Sequence, residues 1–100
     1  MDLRRPMDVG SIATQGRADA RQWVTSYTVD SSLDGDNWME VANLPNLGQP
    51  FEGNSNRNSL RENVVNVFAR YIRLNPTTFF RHPSLRWGVF SCESMKNAHR

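Results

Sequence analysis

Cysteine and lysine are nearly absent from this chain, and long hydrophobic runs are missing altogether. Cys92 is the one cysteine in 100 residues, so the chain by itself forms neither a disulfide bond nor a cysteine-based zinc site. A lone cysteine is most often a small buried hydrophobic residue, and the alternative is a partner outside the chain. No apolar segment approaches the roughly 20 residues of a transmembrane helix, and the start of the sequence shows no signal-peptide pattern.

The positive charge of the chain comes almost entirely from arginine. Lys96 is the single lysine among 12 basic residues, and the net charge is only +2. Acidic residues interrupt the arginines throughout, and the lack of a basic stripe argues against a nucleic-acid partner. Arginine suits carboxylate, phosphate and sulfate groups better than lysine does, which predicts contacts with anionic groups on lipids, glycans or proteins. For most individual arginines we expect a solvated position that contributes little to stability.

The length and composition predict one small globular domain. One hundred residues, of which 38% are hydrophobic and 10% aromatic, supply a modest core. A chain this short has little stability to spare, so the loss of any part of its core would leave the fold only marginally stable. The large aromatic residues are predicted to belong to this core: Trp23, Tyr27, Trp38 and Trp87.

Short β-prone segments alternate with turn signals along the chain. The predicted strands are residues 9–14, 24–31, 38–41, 60–68, 70–74 and 85–92, and the predicted loops are 17–22, 43–49, 51–58 and 77–83. The segment 60–68 fits a helix or a strand by periodicity, but its three valines are β-branched and favour a strand. Pro76 is expected to end the strand before it. Many short strands without a convincing helix predict an all-β sandwich or barrel.

Signals for catalysis or metal binding are weak. Asp34 and Asp36 lie in an Asp-Gly turn signal and are better explained as a hairpin turn than as a cation loop. His82 and His99 form no recognisable ligand set with Cys92. No nucleophile stands at a recognisable spacing from a general base. We therefore expect no enzyme, no metal site and no cofactor.

Seven short motifs occur in an order that is typical of one family of binding modules. They are residues 2–3 (DL), 12–17 (IATQGR), 23–27 (WVTSY), 32–38 (SLDGDNW), 51–54 (FEGN), 69–74 (ARYIRL) and 85–87 (LRW). Each motif is weak alone, but together they resemble the discoidin family, also called the F5/8 type C domain. The resemblance implies an all-β, discoidin-like jelly-roll β-sandwich of the galactose-binding-domain type.

The chain departs from the family pattern most clearly at its start. The resemblance implies that the opening segment of the family is absent, with its early strand, one ligand loop and the cysteine that pairs with the position of Cys92. We therefore expect a partial domain over residues 1–93, missing its opening strand or strands, and a polar tail over residues 94–100. Gly88 and Ser91 are expected to weaken the closing strand.

The resemblance places the ligand site on loops at one end of the sandwich, which fits the general role of loops in function. The predicted ligand-binding residues are Arg17, Asp19, Arg21 and Gln22 in the first loop, and Arg81, His82 and Arg86 in or beside the second. Ala18 and Ala20 stand where membrane-binding relatives carry bulky apolar residues, which argues against deep membrane insertion. Two alternatives are kept: Asp19 only pairs with a neighbouring arginine, and, as the favoured interpretation of that residue, Phe79 packs under the second loop as core.

The leading prediction is an extracellular, non-catalytic adhesion or recognition module that binds a glycan or a protein through these loops. One alternative is peripheral binding to an anionic phospholipid membrane, suggested by the arginines and by the aromatic pair at residues 79–80. Another is a carbohydrate-targeting appendage of a larger enzyme. The last is a non-functional fragment, because a missing strand would leave an exposed edge that invites aggregation. No nucleic acid and no transmembrane segment are expected.

Overall fold

A computed structural model describes residues 1–91. The strands are β1 (Asp2–Gln15), β2 (Trp23–Ser32), β3 (Met39–Glu40), β4 (Phe51–Glu52), β5 (Arg61–Phe80) and β6 (Arg86–Ser91), and Leu44–Asn46 is a 3₁₀ turn. Within these residues there is no helix long and apolar enough to cross a membrane. The predicted tail 94–100 and Cys92, with its implied disulfide, lie outside the described residues.

One antiparallel sheet contains all six strands. Its order is β3-β2-β5-β1-β6, and β4 pairs with β2. The first half of the long β5 pairs with β1, and its second half pairs with β2. Tyr71 marks the change of partner, since it lies opposite both Asp2 of β1 and Ser32 of β2. Buried side chains of β1 and β2 belong to one cluster, so the sheet curls over a shared core.

The core lies between the two halves of the curled sheet. Its buried residues are Val9, Ile12, Val24, Tyr27, Val29, Val41, Phe51, Val65, Ala69 and Ile72. In β2, Tyr27 and Val29 face inward and the residues between and after them are more exposed, as the period of two predicts. Tyr27 stacks on Phe51 with 5.7 Å between ring centroids. Burial raises the pKa of the Tyr27 hydroxyl, which accepts a hydrogen bond from Asn63 Nδ2 at 2.9 Å.

β1, β2 and β5 are longer than the sequence patterns predicted, whereas β3 and β6 are shorter. The prediction that residues 51–58 form only a loop is wrong at its start, where β4 pairs with β2. The prediction that Pro76 ends a strand is wrong, because β5 continues through it to Phe80. Pro76 lies opposite Tyr27 at a shift in the β2–β5 register, and such an irregularity tolerates a residue without an N–H group. The predicted loop 77–83 therefore begins only after Phe80. The strand prediction for residues 60–68 is confirmed, since all but the first of them lie in β5.

A single carboxylate holds the turn between β2 and β3. Asp34 Oδ1 accepts from the backbone N–H groups of Asp36 and Asn37 at 2.8 Å each, and Oδ2 accepts from the Asn37 amide at 2.8 Å. These donors hold the pKa of Asp34 well below its usual range. Gly35 supplies a positive φ of 82°, which the turn requires and a glycine adopts without strain. The predicted hairpin turn is confirmed.

The aromatic residues predicted as core separate into two groups. Tyr27 is fully buried, and Trp87 packs partly buried against the core. Trp38 and Trp23 lie outside the core cluster and are only half-buried. The guanidinium of Arg73 covers Trp38 at 4.2 Å from its ring centroid, whereas Trp23 lies at the start of β2, beside the loops described next.

Candidate functional site

The two predicted ligand loops leave the sheet at the same end of the molecule. Trp23, the first residue of β2, lies opposite Phe80, the last residue of β5. The loop 16–22 leads into β2, and the turn 81–85 leads out of β5. Antiparallel pairing therefore brings the two loops side by side.

A chain of side-chain hydrogen bonds joins these loops. Ser84 Oγ donates to Gln22 Oε1 at 3.1 Å, and His82 Nδ1 lies 2.9 Å from Ser84 Oγ. Because Gln22 uses the one hydroxyl proton of Ser84, His82 Nδ1 is the donor in its contact with Ser84. Sequence reasoning missed Ser84, since an isolated serine after a proline carries no signal of its own.

Arg17 and Asp19 form the charged part of the first loop. Arg17 Nε lies 2.5 Å from Asp19 Oδ1, and Arg17 Nη1 donates to Gln22 Oε1 at 3.3 Å. This contact holds the pKa of Asp19 below its usual range, and Arg57 adds a smaller contribution. The pairing that one alternative anticipated is therefore present. Both side chains nevertheless remain open to solvent, with exposed fractions of 50% and 71%.

A third loop, residues 53–59, completes this end of the molecule, although the sequence analysis gave it no role. It packs directly on Gly16, where a Cβ atom would lie 2.6 Å from the Cα atom of Arg57. Glycine is required there because a side chain would force the two loops apart. The buried amide of Asn54 fixes the loop further by donating to two main-chain carbonyls at 2.9 Å each. The sequence signal that could have identified this loop was its richness in asparagine together with one arginine.

Arg86 fastens the three loops from the start of β6. Its Nε donates to the carbonyl of Gly16 at 2.8 Å, and its Nη2 donates to the carbonyl of Arg57 at 3.4 Å. Two of its donor groups are thus committed to the main chain, so this side chain positions the loops. Direct ligand contact, which the sequence analysis predicted for Arg86, is left to its remaining donors. The three united segments are called the loop end below: residues 16–22, 53–59 and 81–86.

Aromatic rings border the loop end. Trp23 and Phe80 stack with 4.4 Å between ring centroids, and the Arg81 guanidinium lies 5.2 Å from the Phe80 centroid. Phe79 is 51% exposed, so the alternative that it packs under the loop as core is wrong. Its position opposite Val24, in the last pairs of the β2–β5 ladder, leaves it at the rim of the sheet, where burial is incomplete.

The remaining predicted ligand residue, Arg21, is exposed on the first loop. Among residues 1–91 it forms no ion pair with a carboxylate. The loop end thus presents amide, hydroxyl, imidazole, carboxylate and guanidinium groups next to aromatic rings. Such a set can recognise hydroxyl-rich or anionic ligands through directed hydrogen bonds.

Both the sequence and the fold are similar to those of known proteins. The sequence matches the F5/8 type C domain family over residues 1–92. Neurexin-4 of Drosophila melanogaster is 38% identical over 95 residues, which are 93% of this chain and 7% of that protein. The venom prothrombin activator pseutarin-C non-catalytic subunit of Pseudonaja textilis is 37% identical over 98 residues, with the same two shares. The native structure of discoidin II of Dictyostelium discoideum superposes with a TM-score of 0.79 at 36% identity, over 90% of this chain and 35% of that one.

These likenesses cover almost the whole chain, while the chain spans well under two thirds of the length of each relative. The likeness to discoidin II confirms the predicted discoidin-type β-sandwich. Members of this family act as non-catalytic binding modules for carbohydrate, protein or phospholipid. The match over residues 1–92 and the shared fold lead to one conclusion: the chain belongs to the F5/8 type C, or discoidin, domain family.

Proposed function

We propose that the chain is an extracellular, non-catalytic recognition module that binds a glycan at the loop end. The observation that carries this proposal is the hydrogen-bonded series Gln22, Ser84 and His82, which makes two loops into one exposed polar surface. Closely spaced donors and acceptors of this kind match the neighbouring hydroxyl groups of a sugar ring. The exposed ring of Phe79 adds an apolar surface on which the C–H face of a sugar can pack.

The extracellular setting is supported by the nature of several relatives. Coagulation factors and components of snake venom are among them. Glycans and matrix proteins are the main potential ligands of an extracellular domain with polar loops at one end. A glycan is favoured here because the exposed groups are hydrogen-bonding side chains set beside aromatic rings.

Binding to a glycan array and to a panel of extracellular matrix proteins tests the proposal. We expect glycan binding by the wild type and a loss of about tenfold in Gln22→Ala and in His82→Ala, because each removes one or more hydrogen bonds to the ligand. Gln49→Ala is the matched control, since Gln49 is an exposed glutamine outside the loop end, and it should bind like the wild type. A blank array with a protein of intact near-UV circular dichroism would contradict the proposal, and binding to matrix proteins alone would change the ligand class to protein.

Binding to anionic phospholipid is a second candidate, favoured by the exposure of Phe79. An exposed ring next to Arg81 can enter the headgroup region while the cation meets lipid phosphate. This candidate predicts co-sedimentation with phosphatidylserine vesicles that weakens with added salt. It also predicts a clear loss in Phe79→Ser. Equal sedimentation with neutral and anionic vesicles would exclude it.

A further inference from the structure

Positive charge is concentrated at the loop end of the molecule. Between residues 22 and 56 there is no lysine or arginine, and the carboxylates there are Asp30, Asp34, Asp36, Glu40 and Glu52. The loop end has the opposite composition, with one carboxylate, Asp19, and the arginines Arg17, Arg21, Arg57, Arg81 and Arg86. The length of β2 separates its Asp34 turn from the loop end by about 30 Å, at roughly 3.3 Å per residue.

Most of the positive charge at the loop end is not neutralised within residues 1–91. Asp19 pairs with Arg17, and the other four arginines form no ion pair with a described carboxylate. Arg86 donates two hydrogen bonds to main-chain carbonyls. Because carbonyls are neutral, they do not neutralise the charge of Arg86. The loop end therefore carries an excess of about four positive charges.

We propose that the glycan bound at the loop end is an acidic polysaccharide that carries repeated sulfate or carboxylate groups. This inference rests on the proposed function of the loop end as a glycan site. Arginine forks bind sulfate and carboxylate oxygens in pairs. Because the arginines stand on three separate loops, they are suited to several anionic groups along a chain, and a single small sugar would meet only one or two of them.

The polar side chains of the loop end complement this charge. Gln22 and His82 lie between arginines of the first and second loops, where they can bond to the hydroxyl groups that separate successive anions on the polysaccharide. The positive excess of the loop end attracts a polyanion during approach.

A membrane surface fits these observations less well. Ala18 and Ala20 give the first loop little apolar area to bury. Phe80 is covered by Trp23 on one side and approached by Arg81, so Phe79 is the main free aromatic surface of the loop end. One ring with several cations favours a hydrated polyanion over insertion into a bilayer.

The test uses a heparin-derived hexasaccharide as the probe, titrated at several salt concentrations. We expect Arg21→Gln, Arg57→Gln and Arg81→Gln each to weaken binding about fivefold and to make it less sensitive to salt. Arg4→Gln is the matched control, because Arg4 is an exposed arginine near the opposite end of β1. It should leave the affinity unchanged.

A variant that is expected to bind more tightly distinguishes an effect of charge from an effect of misfolding. Asp19→Asn removes the one carboxylate of the loop end and releases Arg17. We expect it to raise the affinity for the hexasaccharide about threefold. A poorly folded protein would not bind more tightly, so this variant separates lost charge recognition from lost structure.

The possible outcomes separate the inference from the proposed function. Binding of neutral glycans on the array without binding of the hexasaccharide would overturn the acidic-polysaccharide inference and leave the glycan site in place. An equal loss in the Arg4→Gln control would show general ion exchange and would also overturn it. Capture by phosphatidylserine vesicles without hexasaccharide binding would overturn it in favour of a membrane surface. No binding to any glycan would remove both proposals.

Discussion

The two ends of the sheet hold their loops with similar hydrogen bonds but use different partners. In the β2–β3 turn, the carboxylate of Asp34 accepts from main-chain N–H groups and from Asn37 of the same turn. At the loop end, Gln22, Ser84 and His82 bond to one another through their side chains. Side chains that bond to their own backbone define a turn, whereas linked side chains on a surface keep unused donors and acceptors for a ligand.

The partners of the side-chain hydrogen bonds thus distinguish a structural loop from a candidate binding surface. Asn54 and Arg86 are exceptions, because they belong to the loop end yet bond to main-chain carbonyls. Arg86 fixes the main chain of the loop end by hydrogen bonds, as Asp34 fixes the main chain of the β2–β3 turn. Four substitutions can therefore break or sharpen the contrast.

The largest effect is expected from Gly16→Ala. The new Cβ atom would lie 2.6 Å from Arg57 Cα and 2.8 Å from the carbonyl oxygen of Gln22. We expect a loss of about 2 kcal/mol in the free energy of unfolding, typical of overpacking, measured by urea denaturation. Gly88→Ala is the control, since a Cβ there has no atom within 4 Å. Equal stability of both variants would show that the loops do not depend on their close contact.

An intermediate effect is expected from Arg86→Lys, which keeps the charge but loses the fork. Losing its two bonds to the carbonyls of Gly16 and Arg57 should cost about 1 kcal/mol. Amide hydrogen exchange should accelerate in the three loops of the loop end and stay unchanged in the β2–β3 turn. Uniform acceleration across the sheet would contradict a local positioning role.

The smallest effect is expected from replacing one carboxylate at each end by an amide. The folded-state pKa of Asp34 is lowered by its main-chain donors and that of Asp19 by Arg17. Each ionised group therefore stabilises the fold above its ordinary pKa of about 3.9, and that stability is lost as the pH falls through the folded pKa.

Thermal melts between neutral pH and pH 2 measure this contribution. Asp34→Asn should flatten the acid-side fall in melting temperature more than Asp19→Asn, because Asp34 has several fixed donors and Asp19 has mainly one exposed arginine. The reverse order would show that the loop end, and not the far turn, depends more on its carboxylate.

Features set by neighbouring residues were predictable from the sequence. The inward positions of Tyr27 and Val29 followed from alternation, and the turn at Asp34 followed from its Asp-Gly signal. The two predicted loops lie side by side in the structure, and their role as ligand loops stays a prediction. The alternation and the turn are determined by residues within a few positions of one another.

Features set by distant residues were missed. β5 continues past Pro76 because β2 offers pairing partners as far as Phe80, and no local propensity reports the length of a partner strand. The third loop entered the site through the contact of Arg57 with Gly16, which joins residues far apart in sequence. Phe79 was assigned to the core from its hydrophobicity, although its exposure depends on where the ladder ends.

The double pairing of β5 has a consequence for the newborn chain. Within residues 1–91, β1 has only β5 and β6 as partners, so its main-chain N–H and C=O groups stay without a strand partner until residues beyond Arg61 have been synthesised. At about 5 to 20 residues per second, that delay is roughly 2 to 10 seconds. An unpaired strand edge is a template for pairing with another chain. Slower synthesis of β5 therefore lengthens the time during which the edge of β1 can aggregate.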